Sequence, residues 1–295
     1  MIPINAYEKI NQNLLDFPIF RFGTVPDGSC FFHSLSLCLS PEYVNLNIPD
    51  KIQFVQTLRN KIADEIDINT FKIIGHGEFC VESMSVYIRK YIHKLYDKDS
   101  KFTKKCIENC IPISFIELYT DLIDYNTQIS LFESCFKGTN MNLTNLKNSF
   151  YKELYKYFFD QLVKTNSEMS DIKKIMNAFT KFYEYFYDYI IQKSYNHFIK
   201  EIRNVGTWFN MKMLEIVMHL FRCNIYIFNL EPQNISLYQI DDKSIYKYDN
   251  NILMLNIHNA HFEALGVQND NQIIVSFSND SQVIKDIRSL FVSNQ

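Results

Sequence analysis

The chain has 295 residues and a net charge of −3, from 30 basic and 33 acidic side chains, with 47% hydrophobic and 21% charged residues. That length can bury one large core or two smaller ones, and the near-balance of charge argues against nucleic acid as the main partner. No basic, apolar, small-residue leader opens the chain and no apolar run approaches the ~18 residues of a membrane span, so a soluble protein is expected. The aromatic load is high, with 19 Tyr and 25 Phe, while Gly and Pro number only 7 each, which favours long helices over a many-stranded sandwich. Seven Cys without framework spacing fit a reducing compartment better than a disulfide scaffold. Cys106 and Cys110 could share a helical face, but no Cys or His pair nearby completes a zinc set; neither metal nor cofactor is expected.

In chain order, Asn5 is placed to cap a first helix whose apolar residues Tyr7, Ile10 and Leu14 recur at helical spacing. A loop through Phe22 and Pro26 then leads to Asp27-Gly28-Ser29-Cys30-Phe31-Phe32-His33. Asp27, Gly28 and Ser29 form a tight polar turn, and the apolar run behind them puts Cys30 at the N-terminus of a helix that ends before Pro41. Unpaired N–H groups and the positive end of the helix dipole face the sulfur there, an environment that can pull a thiol pKa below its usual ~8.5. Gly28 lets the backbone approach closely, so the same turn could aim N–H donors at an oxyanion. A lone Cys on an apolar helix is more often core, so these residues by themselves leave both readings open.

Ile52, Val55, Leu58 and Ile62 mark an amphipathic helix over roughly 50–66. From about 75 to 190 the chain reads as several helices rich in Lys, Tyr and Phe, with loops near Gly138–Leu143 and Thr165–Ser170. Stripes such as Tyr151, Leu154, Tyr155, Phe158 and Phe159 suit packing faces, the charges between them a solvated face, and no fixed period recurs. Asn210 can cap a helix through Leu214, Val217, Met218 and Phe221. Cys223–Phe228, Ile235–Ile240 and Ile252–Ile257 read as strands; Ala260–Leu265 completes an antiparallel hairpin, and Ile273–Phe277 is an edge strand. Asp280 can cap a last helix carrying Val283, Ile287, Leu290 and Phe291, which packs on the body because it has no basic face to hold anionic lipid.

A thiol nucleophile needs a base to take its proton and later give it to the leaving amine. Of the seven His, His261 sits in Asn259-Ala260-His261-Phe262-Glu263-Ala264-Leu265, a strand with aromatic and small neighbours. His258 would point to the opposite face of a regular strand, so only one of the two can face Cys30. His33, one turn along from Cys30, reads as a structural or supporting group, and His76, His93, His197 and His219 as surface or core residues.

Asp27-Gly28-x-Cys30-Phe31-Phe32 resembles the nucleophile box of the ovarian-tumour (OTU) family of ubiquitin-specific cysteine proteases. Leu58-Arg59 followed by Ala63-Asp64 resembles the helix after that box. Tyr195, Phe198, Ile202, Gly206, Thr207 and Trp208 resemble the family's aromatic helix closing on Thr-Trp, with Phe209 where the family usually has Gly. His261-Phe262 resembles its histidine box, and the motifs span roughly 20–66 and 195–266 in family order. The resemblance implies one α+β catalytic domain over 1–295 with a papain-like OTU fold: a small, mostly antiparallel sheet flanked by helices, and a helical insertion over 75–190. Effector OTU proteins of intracellular bacterial pathogens are similar in plan, and there the insertion helps hold the distal ubiquitin. A composition rich in Asn, Ile, Lys and Tyr fits an AT-rich bacterial or large DNA-virus genome.

The implied activity is thiol-dependent deubiquitination. Cys30 would be the nucleophile and His261 the base, the backbone at Gly28 and Ser29 would hold the oxyanion, and Trp208 would shape the floor near the site or pack in the core. The third member stays open between Glu263, at the position where the family commonly has Asp or Asn, and Asp27, with Asn256 behind both. Ubiquitin or polyubiquitin is the implied partner of a monomer without membrane segment or nucleic acid; a bacterial effector would be secreted into the host cytoplasm. Two other readings remain: a papain-like thiol peptidase or acyltransferase with another substrate, and a ubiquitin-binding scaffold whose triad has decayed. Linkage preference and the choice between ubiquitin and ubiquitin-like modifiers are not legible.

Overall fold

The computed structural model describes residues 2–4, 6–10, 17–97, 100–136, 143–165, 168–230, 235–238, 247–269 and 272–293. The chain divides into two compact units, Met1–Glu65 with Lys200–Gln295, and Ile66–Ile199. Helices and a largely antiparallel sheet together make an α+β chain.

The first unit opens with strands β1 (Tyr7–Lys9) and β2 (Ile19–Phe22), which pair antiparallel with Tyr7 opposite Phe22. A helix was expected at Tyr7; instead its ring lies 5.7 Å from Phe20 and 5.8 Å from Phe22, and such cross-strand aromatic pairs outweigh a short helical spacing. Asn5 and Leu14 lie outside the described residues. Helix α1 (Cys30–Leu39) starts at Cys30, and α2 (Pro41–Val44) follows with Pro41 in its first turn, where a missing N–H costs nothing. Helix α3 runs Ile48–Glu65 and buries Val55, Arg59, Ile62 and Ala63.

The second unit is helical: α4 (Ile68–Ile73), a 3₁₀ turn at Ile74–Gly77, α5 (Glu78–Leu95), α6 (Lys101–Glu108), α7 (Ile113–Leu122), α8 (Tyr125–Phe136), α9 (Leu143–Lys164) and α10 (Met169–Arg203), whose last residues belong to the first unit. Asp67 and Ser100 accept from the amides of Thr70 and Thr103 and so cap α4 and α6. The core is aromatic: Tyr119, Phe158, Phe179 and Phe182 are fully buried, with Tyr119 and Phe182 centroids 4.6 Å apart. Each such ring contributes ~1.5–3 kcal/mol by burial. On α9 the stripe divides, since Leu154 and Phe158 are buried while Tyr151, Tyr155 and Phe159 are only half-buried. Cys106 and Cys110 share no face: α6 stops at Glu108, Cys110 is exposed in the left-handed region at φ 60°, and Cys106 is buried.

The first unit resumes with a 3₁₀ turn at Met211–Met213, capped by Asn210 accepting from the Lys212 amide, and α11 (Leu214–Phe221). Strands β3 (Cys223–Leu230), β4 (Ile235–Leu237), β5 (Asn250–Ile257), β6 (His261–Asn269), β7 (Gln272–Ile274) and β8 (Ser276–Ser278) precede α12 (Gln282–Ser293). Among the described residues the eight-stranded sheet has the order β1-β2-β6-β5-β3-β4, with β7 on β6 and β8 on β5, and there only β3 and β5 pair parallel. The expected single edge strand is thus two, and residues 239–240 of another expected strand lie outside the described residues. Ser281, not Asp280, caps α12, its Oγ 3.4 Å from the Ile284 amide. Val283, Ile284 and Ile287 join Tyr226, Phe228, Leu253, Leu255, Leu265 and Val267 in one core, while the Phe291 side chain is not described. Strand alternation puts His261 and Glu263 on the same face as Leu265, and Phe262 on the opposite face, where its ring meets Phe31 of α1 at 5.3 Å. Among the described residues no helix is long and apolar enough to cross a membrane.

Candidate active site

The turn before α1 is built to present Cys30. Gly28 sits at φ +84°, in the left-handed region, and a Cβ there would come 2.7 Å from the Gly206 carbonyl oxygen. Only glycine allows that approach. Asp27 ties the turn from both sides: Oδ1 accepts from the Ser29 amide at 2.8 Å, and Oδ2 accepts from His33 Nε2 at 3.0 Å. Burial pushes the Asp27 carboxyl up, but the bonds from His33 and Ser29 and the His33 charge prevail and hold it below the usual carboxylate value. His33 in turn meets the Tyr43 hydroxyl at 2.5 Å through Nδ1. Both oxygens of the carboxylate are thus engaged by the turn and by His33.

Arg59, on α3, holds the turn from behind. It is 2% exposed, and its guanidinium donates to the carbonyls of Ile202 (2.5 Å), Glu201 (3.1 Å) and Thr207 (3.1 Å) and to Ser29 Oγ (3.0 Å). It also lies 4.8 Å from the Phe32 ring centroid. Ser29 Oγ donates onward to the Val205 carbonyl at 2.6 Å. One buried cation thus satisfies carbonyls that the C-terminus of α10 leaves open and pins the 204–209 loop to the Cys30 turn. Burial pulls its pKa down to about 10, which leaves it charged at neutral pH.

Cys30 is 7% exposed, and its Sγ accepts from the Phe262 amide at 3.2 Å. That contact sets the thiol at the start of β6, beside the residue after His261. The expected fall in thiol pKa is not found: burial pushes Cys30 up, the amides of Phe262 and Phe31 counter in part, and the Asp27 charge adds to the rise. Desolvation of the thiolate outweighs the helix terminus.

His261 is half-buried, and burial is the main cause that lowers its pKa from 6.5, with Arg21 adding to it. Its Nε2 lies 3.4 Å from Thr24 Oγ1 and 3.7 Å from Glu263 Oε1. Glu263 is fully buried; among the described residues neither carboxylate oxygen has a hydrogen-bond partner, and Arg21 Nη1 stands 3.6 Å from Oε2. Burial raises its pKa, Arg21 pulling the other way. Arg21 also binds Glu8 at 2.8 Å. Leu255 pairs with Glu263 and Ile257 with His261, so apolar neighbours on β5 desolvate both groups. Asn256 pairs with Phe262, on the opposite face, and donates to Asn229 and Asn259 at 2.9 Å each; it does not belong to the His261 group. His258 is not on a strand at all, but exposed in the turn between β5 and β6 at φ 51°.

Trp208 is 60% exposed, so it packs in no core. Its neighbour Phe209 does that work, stacked on Phe31 with centroids 3.6 Å apart and planes 1° from parallel. Thr24 and Arg21 are the site residues that the sequence did not single out; Phe209 stood out only as a departure from Gly, and Arg59 only as half of a dipeptide. For Arg21 no local signal existed, because it reaches the site through the pairing of β2 with β6, and Thr24 follows directly on that strand. Among the described residues no group of three or more His, Cys, Asp or Glu is placed to hold a metal ion.

No family model matches this chain, and no curated protein matches it. Among solved structures it is similar to an ovarian tumour (OTU) domain in complex with ubiquitin, at 12% identity and a TM-score of 0.37, over 98% of this chain and 91% of that one. At that score the likeness decides nothing by itself.

Proposed function

We propose that the chain is a thiol-dependent deubiquitinase with a papain-like OTU catalytic fold. The observation that carries the reading is the junction of α1 and β6: the Cys30 thiol rests on the Phe262 amide, next to His261, whose Nε2 faces a buried carboxylate. In the proposed reaction Cys30 Sγ attacks the carbonyl carbon of ubiquitin's terminal glycine while His261 takes the thiol proton. The intermediate collapses, the lysine amine leaves with that proton, and a thioester to Cys30 remains. Water attacks the thioester with His261 as base, freeing the ubiquitin carboxylate and restoring the thiol. Backbone amides of the Gly28–Cys30 turn are proposed to hold the oxyanion, each worth ~3 kcal/mol; the Ser29 amide, already given to Asp27, is the weakest of them. Glu263 is proposed as the orienter and Trp208 as a residue that touches the substrate tail.

The helical insertion over 75–190, which lies within the unit Ile66–Ile199, is proposed as part of one domain with ubiquitin-binding surface of its own, as in bacterial effectors. Seven cysteines without a disulfide support action in a reducing compartment such as a host cytoplasm, as a monomer. The burial of Cys30 favours one rival, a ubiquitin-binding scaffold without turnover. Reaction with a ubiquitin carrying a thiol-reactive C-terminal warhead separates the two. Wild type should form a covalent adduct that Cys30→Ala abolishes and His261→Ala slows. A folded wild type that binds ubiquitin but forms no adduct would establish the scaffold.

A further inference from the structure

Thr24 lies between β2 and the Cys30 turn, is 4% exposed, and has its hydroxyl shared by two groups of β6. Oγ1 lies 2.8 Å from the Phe262 carbonyl oxygen and 3.4 Å from His261 Nε2. A hydroxyl has one proton and two lone pairs, and a carbonyl can only accept. The Thr24 proton therefore belongs to Phe262, and toward His261 the hydroxyl has only a lone pair to offer. An imidazole nitrogen facing a lone pair must carry the hydrogen. We propose that Thr24 is a positioning residue that fixes the His261 tautomer, keeping the proton on Nε2 and leaving Nδ1 bare to receive the thiol proton. The mechanistic half of this inference rests on the deubiquitinase reading; the tautomer half does not.

Glu263 cannot do this alone. Its Oε1 faces the same Nε2 at 3.7 Å, and as a carboxylate it would also demand a proton there. Yet it is fully buried with no hydrogen-bond partner for either oxygen among the described residues, and burial raises its pKa. Once protonated, a carboxyl group can donate to Nε2 and so favour the opposite tautomer. The threonine hydroxyl does not titrate, so its preference holds at every pH. Among the described residues, the charged groups around the imidazole are Glu263 on β6, Arg21 on β2 and, behind Arg21, Glu8 on β1. In the chemical step the Sγ–H bond breaks and an Nδ1–H bond forms, the charge resting on the imidazolium until the leaving amine takes the proton. The Nε2 proton and the Thr24 proton stay in place throughout.

Two variants test this. Thr24→Val keeps the β-branched shape and removes the hydroxyl; Thr24→Ser keeps the hydroxyl. Histidine side-chain ¹⁵N–¹H correlation spectra of the full chain, with the His261 signals assigned by their loss in His261→Ala, read the tautomer directly. Wild type and Thr24→Ser should show a protonated Nε2 and a bare Nδ1, and Thr24→Val should show loss of that preference. On a ubiquitin C-terminal fluorogenic amide, Thr24→Val should lower kcat about tenfold or more at unchanged KM, as expected when a positioned proton transfer worth ~10²–10⁴ is partly lost, while Thr24→Ser stays within about twofold of wild type. A wild-type spectrum with the proton on Nδ1, or a Thr24→Val protein with unchanged tautomer and kcat, would overturn the proposal. So would a Thr24→Ser protein that falls as far as Thr24→Val. A wild type that turns over no ubiquitin substrate, yet loses its Nε2–H tautomer in Thr24→Val, would sink the deubiquitinase reading and leave the role of Thr24 standing.

Discussion

Arg59→Met should loosen the nucleophile turn, and the size of the effect follows from which partners stay wet. The guanidinium serves four acceptors, but Glu201 is exposed and Thr207 half-buried, so water can take over those carbonyls. Ile202 at 4% exposure has no such recourse, whereas the Ser29 hydroxyl keeps its bond to the Val205 carbonyl. A buried polar group left without its partner costs ~1–3 kcal/mol, so the orphaned Ile202 carbonyl sets the expected loss of stability at about 1–3 kcal/mol. Methionine fills most of the volume and adds no charge, which keeps a cavity term out of the comparison. Arg59→Lys should fare little better, because one ammonium cannot reproduce a planar fork with several donors. Urea unfolding followed by the chain's single tryptophan is the assay, since Trp208 stands in the loop that Arg59 pins. A fall in midpoint at constant slope gives the loss in stability. If Arg59→Met lies within ~1 kcal/mol of wild type, the guanidinium is not what joins the 204–209 loop to Cys30, and packing of Phe32 and Phe209 must be doing so.

Phe209→Gly removes the stack on Phe31 and should cost about 2–3 kcal/mol in the same assay, below the ~3–5 of a fully buried Phe truncation because Phe209 is half-buried; a neutral result would mean the stack adds nothing. Trp208→Ala should leave stability within ~0.5 kcal/mol, since the side chain is exposed, and should raise KM for ubiquitin substrates with kcat unchanged; an unchanged KM would remove Trp208 from the substrate surface. Gly28→Ala meets the Gly206 carbonyl at 2.7 Å and should abolish adduct formation; full activity would show the turn to be pliable. Alkylation of Cys30 by iodoacetamide tracks the thiolate, so its rate in the free protein should still be rising above pH 9.0; a plateau near neutrality would mean the thiol is ionised at rest. His261 holds fewer protons folded than unfolded just below pH 6.5, so stability should drop as pH falls through that window, and His261→Gln should flatten that part of the stability profile; an unchanged profile would contradict the lowered pKa.

What the sequence made legible was chemistry carried by adjacent residues. Asp27-Gly28-Ser29-Cys30 announced a polar turn running into a helix, and α1 begins at Cys30. Asn210 capping its turn and the β5–β6 hairpin carrying His261 were equally local. What stayed illegible was decided by register. Arg21 reaches Glu263 only because β2 pairs with β6 so that Arg21 lies opposite Leu265, two residues from the carboxylate on the same face. Nothing in Ile19–Phe22 hints at that pairing, and Tyr7, read at helical spacing, became a strand because its partners were Phe20 and Phe22. The thiol pKa was misjudged for a related reason. A helix terminus can be seen in sequence, but the burial that outweighs it comes from β6, more than two hundred residues away.

The raised thiol and the lowered imidazole together say how the resting site is charged. A preformed thiolate–imidazolium pair needs the thiol pKa to fall below that of the histidine, and here burial moves each in the opposite direction. The resting pair is therefore neutral thiol and neutral imidazole. Neutrality also fits the surroundings: an imidazolium at His261 would face Arg21 across Glu263, a carboxyl whose own charge burial opposes. In the proposed reaction, charge would then have to appear during attack rather than before it. That would place the weight of catalysis on groups that need no reorganisation when it appears, the fixed amides of the Cys30 turn and a histidine holding the proton that Thr24 is proposed to fix. It also gives the dense bonding behind the turn a purpose. Arg59, Ser29, Asp27 and His33 touch no reacting atom, yet a thiol that must lose its proton in the act of bonding tolerates little misplacement.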